Sequence, residues 1–84
     1  MPAIAATAQS GNLKTQAFER LKRALGPDAG ARHAREALQH IGLDDLRTPN
    51  DLLGFADYLV ALGGVPEAVG RALRVTAILR GAGR

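Results

Sequence analysis

Apolar residues recur at three- and four-residue steps through four stretches of the 84-residue chain, and no stretch alternates with period two over a useful length. In the first, NLKTQAFERLKRALG, residues Leu13, Ala17, Leu21, Ala24 and Leu25 form one stripe with Phe18 at its edge. Lys14, Arg20, Lys22 and Arg23 occupy the flanks and back of that helix. Asn12 is placed to cap its start, and Gly26-Pro27 stops it. The second stretch, PDAGARHAREALQHIG, puts Ala31, Ala34, Leu38 and Ile41 on one face, with Asp28 near its start and Gly42 just past its end. A face built mainly of alanine lets a neighbouring helix come close. The short acidic LDDLR segment follows, with Leu43 and Leu46 available to pin it to the core.

Thr48-Pro49-Asn50-Asp51 carries the strongest start signal in the chain: a capping hydroxyl, a proline for the first helical position and a carboxylate three residues on. Aspartate reaches back less far than glutamate, so a half-formed capping box is expected. The helix that follows, DLLGFADYLVAL, is apolar around most of its circumference, which predicts a central, buried element with Leu59 at its middle. Phe18 and Phe55 are expected in the core and Tyr58 at its rim, with its hydroxyl in water. A fourth helix opens at Val65-Pro66-Glu67 and ends at Gly81. Val65, Ala68, Val69, Ala72, Leu73, Val75 and Leu79 are assigned to its inward stripe, and Glu67, Arg71, Arg74 and Ile78 to its outer face. Gly54 and Gly70 fall inside helices, where each costs about 1 kcal/mol relative to alanine, so close helix approach is the expected reason for them. The fold class read from the pattern is all-α: a compact four-helix bundle-like domain over residues 12–84, behind a disordered N-terminal tail at residues 1–11.

Composition narrows function mostly by exclusion. The chain is 46% hydrophobic and 23% charged, which suits one small globular domain. It has no Cys, two His and a single Ser. That removes thiolate chemistry and disulfides, and two imidazoles alone cannot complete a zinc site. His33, Glu36 and His40 share one side of the second helix, but the two imidazoles stand about 10 Å apart along the axis. Asp44, Asp45 and Asp51 lie before or at a helix start, where carboxylates serve as caps, and no calcium-loop spacing surrounds them. No phosphate-cradling glycine motif is present. These observations point away from an enzyme and from any bound cofactor or metal. The sequence has no apolar run of spanning length and no signal-peptide pattern, so a cytoplasmic protein without membrane contact is expected.

The net charge of +3 is unevenly spread, with net +3 over residues 12–40, −3 over 41–64 and +3 over 65–84. Internal complementarity, an acidic partner and nucleic acid all fit such a map. The segment LVALGGVPEAVGRALR resembles the helix-turn-helix of bacterial repressors over sixteen residues, within a unit spanning residues 52–80. With Gly63 as the turn glycine, Val69 takes the required hydrophobic position, but Leu59 falls where a small residue is wanted. Pro66, Glu67 and Ala68 open the would-be recognition helix and offer no donors to base edges. The leading expectation is therefore a small non-catalytic protein–protein interaction module, an adaptor or regulator. It would bind through Glu67, Arg71, Arg74 and Ile78, and its partner would be an acidic protein surface or a second copy of itself. The alternative is a small DNA-binding regulator.

Overall fold

The computed structural model describes residues 12–83. Four helices, and no strand, occur among them: α1 Asn12–Leu25, α2 Pro27–Ile41, α3 Pro49–Leu62 and α4 Gly64–Leu79. The expected tail at residues 1–11 lies outside the described residues, as does the proposed cap by the Asn12 side chain.

The helices pack as two pairs. α1 lies chiefly against α2 and α3 chiefly against α4, while smaller α1–α4 and α2–α3 contacts close the arrangement. Each pair turns at glycine in a conformation that side chains other than glycine rarely adopt, one glycine in the first pair and two, Gly63 and Gly64, in the second. Gly26 has φ 95° and Gly63 has φ 75°. Just beyond each turn the paired helices meet at a further glycine. A Cβ on Gly30 would stand 2.5 Å from the Lys22 backbone, and one on Gly70 would stand 2.7 Å from the Ala56 carbonyl oxygen. Backbone therefore touches backbone in both pairs. Gly54 differs, because a Cβ there meets only Ile41 Cγ2 at an ordinary 3.6 Å. Gly54→Ala is expected to stabilise the fold by about 0.5–1 kcal/mol through helix propensity alone. Urea denaturation checks this, and a loss of stability would mean that Gly54 has a packing role.

The core is contiguous: Leu13, Ala17 and Leu21 from α1, Ala34, Ala37 and Leu38 from α2, Leu52, Phe55, Ala56 and Leu59 from α3, and Leu73 and Ala77 from α4. Phe18 and Tyr58 are half-buried against it, and the Tyr58 ring leans on the His40 ring with centroids 4.8 Å apart. In the α2–α3 connection Leu46 is buried, whereas Leu43 stays exposed, so one leucine pins the loop rather than two. Helix α3 is less enclosed than its composition suggests, with Ala61 and Leu62 at its end in solvent.

Local signals account for the boundaries. The Thr48 hydroxyl accepts from the Asp51 amide at 3.1 Å, and Asp51 Oδ2 accepts from the Thr48 and Arg47 amides at 3.2 and 3.0 Å. Both halves of the capping box are thus made, because the carboxylate sits at the right height to take two amides at once. α4 ends with Gly81 at φ 111° and a hydrogen bond donated by the Ala82 amide to the Ala77 carbonyl, which turns Ala82 back into the core. The Gly83 amide then donates to Asn50 Oδ1 at 2.8 Å, tying the end of α4 to the start of α3.

Candidate interaction face

Helix α4 positions all four residues read from the sequence as partner-binding. At 100° per residue, Glu67, Arg71, Arg74 and Ile78 fall in one sector that flanks the buried side, about a quarter turn from Gly70, Leu73 and Ala77. Arg71 Nε donates to Glu67 Oε2 at 2.9 Å, with the acid one turn N-terminal to the base as the helix dipole favours. Arg74 Nε lies 2.9 Å from Asp57 Oδ1 on α3. Both guanidinium groups are thus matched within the chain, and the second pair joins the basic end to the acidic middle. Exposed pairs of this kind contribute about 0.2–1 kcal/mol each. Their larger effect is to remove unpaired positive charge from this sector. The exposed cations Arg20, Arg23, Arg32 and Arg35 of α1 and α2, and Arg80 at the end of α4, make no ion pair among the described residues.

The inward stripe assigned to α4 from the sequence requires correction. The buried residues of α4 are Gly70, Leu73 and Ala77. Val65, Val75 and Leu79 are 50%, 58% and 81% exposed, and Ala68 and Ala72 between them are exposed as well. Of the residues assigned inward, Leu73 is buried as expected and Val69 packs against the core as a half-buried neighbour. α4 carries two apolar stripes, and the one containing Gly70 wins the interior. A helix face with no side chain at its centre approaches α3 more closely, and the resulting contact area favours that orientation. The other stripe is left in solvent beside Ile78, itself 51% exposed. Spacing does not separate the two stripes: residues 65, 68, 72, 75 and 79 keep a strict three-four alternation on one side of the helix, yet that side is the exposed one.

The remaining candidate clusters are occupied structurally. Asp45 Oδ1 accepts from the Leu46 amide at 2.8 Å, Asp51 caps α3, and the Asp44 carbonyl accepts from Lys14 Nζ at 3.0 Å. That ammonium also stands 5.7 Å from the Phe18 ring centroid. His33 Nδ1 is 3.4 Å from Glu36 Oε1 without hydrogen-bond alignment, and His40 instead meets Tyr58. Among the described residues no three His or acidic side chains converge as metal ligands, and no helix is long and apolar enough to cross a membrane.

Comparison with family models, curated proteins and solved structures finds no match to the chain.

Proposed function

We propose that this chain is a small non-catalytic protein-interaction module whose docking element is the outer face of α4. One observation carries the reading: an apolar strip of Val65, Ala68, Ala72, Val75 and Leu79 lies in solvent, flanked by Ile78 and the Arg71–Glu67 pair. Isolated exposed apolar residues are ordinary. A strip about 21 Å long on one helix, by its rise per residue, has the size and amphipathic rim of helix-in-groove or helix-on-helix recognition. Arginine beside an apolar anchor is a favoured interface combination. Because Arg71 and Arg74 already hold carboxylates of their own chain, an acidic partner would have to displace them, whereas an apolar surface would not. The same facts weigh against duplex DNA, since the outward side of α4 presents methyl groups where a recognition helix needs donors.

The test compares the chain with Val75→Glu and with the double variant Arg71→Glu, Arg74→Glu, each immobilised and each checked for unchanged helicity. The expected result is that protein retained by the native chain is lost with Val75→Glu and reduced with the arginine variant. Retention unaltered by both variants would remove the docking reading. Gel shift with random duplex DNA across a salt series is expected to show no retardation. A steep salt slope that the arginine variant abolishes would establish the DNA alternative instead.

A further inference from the structure

The docking reading leaves open what covers the strip, and from that reading we infer that the occupant is a second copy of this chain, docked antiparallel along α4. The strip is self-complementary in size. Val65, Ala72 and Leu79 stand at one heptad position, and Ala68 and Val75 at the other. A two-fold axis at the level of residues 73 and 74 sets Leu79 against Ala68 of the second copy and Val75 against Ala72. The symmetry returns each contact in reverse, as an isologous interface requires. Both of these layers join a large side chain to a methyl, and Val65, whose opposite position is the buried Ala82 beyond the end of α4, stays outside the matched layers. Parallel pairing in register gives uneven layers: Ala72 faces Ala72, while Val75 and Leu79 each pair with their own copy and set a wider spacing that leaves the Ala72 layer gapped.

Charge agrees with the antiparallel arrangement. The two Arg71 residues are staggered by five residues, about 7 Å along the axis, and each is already paired with its own Glu67. The Arg71 stem instead comes level with Ile78 of the second copy, to within about 3 Å along the axis, where its methylenes can cover that side chain. Residues 1–11 are a poorer occupant, because Met1 and Ile4 are their only large apolar side chains and cannot fill a strip with three large layers. Pairing α4 to α4 buries on the order of 500 Å² per copy, about 1,000 Å² in total, below the usual size of a tight interface. The dimer is accordingly weak, with a Kd of about 10–100 µM. Its contacts are apolar while each copy carries net +3, so added salt strengthens it rather than weakening it.

Because the chain has no native cysteine, single thiols report the geometry directly. Ala68→Cys and Leu79→Cys are prepared separately, then oxidised alone and as an equal mixture. The mixture is expected to give at least about fivefold more disulfide dimer than either variant alone, since opposed positions differ while like positions stand about 16 Å apart. Dimer formed equally well by each variant alone would overturn the antiparallel pairing. Sedimentation equilibrium of the full chain should show monomer and dimer in exchange, with Val75→Glu monomeric throughout at native helicity. A native chain monomeric up to about 500 µM, well above that Kd range, overturns self-pairing. If Val75→Glu still strips retained protein from the matrix in that case, the docking reading stands and only the identity of the occupant fails. If Val75→Glu changes neither measurement, both fail.

Discussion

Gly30→Ala is expected to destabilise the chain by about 3 kcal/mol, the upper end of the range for forcing a methyl into a packed site. The new Cβ would stand 2.5 Å from both Cα and N of Lys22 and 2.6 Å from the Leu21 carbonyl carbon. Those atoms belong to the backbone of α1, so no side-chain rotation relieves the contact and α2 has to move away as a unit. The move also loosens Ala34 and Leu21, each buried to 0% exposure in the same layer. Alanine's helix propensity returns about 1 kcal/mol, and the net loss stated here already includes it. Total stability for a chain of this length is about 4–13 kcal/mol, so the loss is a large share of it. Thermal unfolding should fall by about 12–24 °C, taking 4–8 °C per kcal/mol. A loss below about 1 kcal/mol would mean that α1 and α2 are not held in backbone contact.

The contrast between Gly30 and Gly54 shows what the sequence alone conveys. Both are glycines inside helices, and helix propensity gives them the same cost. Only the neighbouring helix distinguishes a glycine that admits a backbone from one that touches an isoleucine methyl. The element boundaries were readable because they depend on local chemistry. Thr48, Pro49 and Asp51 form a cap, Gly26-Pro27 forms a break, and Gly63 adopts positive φ, whatever the rest of the chain does. Helix α3 buries Leu52, Phe55, Ala56 and Leu59 as a central helix should. The face of α1 was readable through Leu13, Ala17 and Leu21, although Ala24 at the end of its stripe is exposed. The face of α4 was not. Its residues satisfy helical periodicity twice, once through Gly70, Leu73 and Ala77 and once through Val65, Ala72, Val75 and Leu79. The second stripe holds the larger side chains and is favoured by hydrophobicity. The first is favoured by fit, because Gly70 lets α4 settle on Ala56 and Leu59. Fit is a property of two helices together, and no periodicity in one of them records it. The charged candidates Glu67, Arg71 and Arg74 do share one sector, but it flanks the buried side instead of forming the outermost face. Their mutual pairing and the link from Arg74 to Asp57 needed the third dimension.

The same truncation at two leucines separates the buried side of the molecule from its outer strip, and the two effects should differ by several kcal/mol. Leu59→Ala is expected to cost about 2–5 kcal/mol, because Leu59 is at 0% exposure and the truncation leaves a cavity in α3 against α4. The loss falls toward the upper part of that range if the site cannot collapse. Little collapse is available: the Leu59 Cβ already lies where a Cβ on Gly70 would be 2.9 Å away, so the two backbones cannot draw closer. Leu79→Ala removes the same atoms from a residue 81% exposed, and should change stability by about 0.5 kcal/mol or less. Both variants are compared by urea denaturation at a protein concentration low enough to keep the chain monomeric, so that any α4 pairing does not contribute. Periodicity alone assigned both leucines to the interior, and it therefore predicts comparable losses. A cost above about 1 kcal/mol for Leu79→Ala would return the Val65–Leu79 stripe to the core and remove the docking face with it. A large loss at Leu59 with almost none at Leu79 requires α4 to rest on its glycine face and to hold its larger apolar side chains outward.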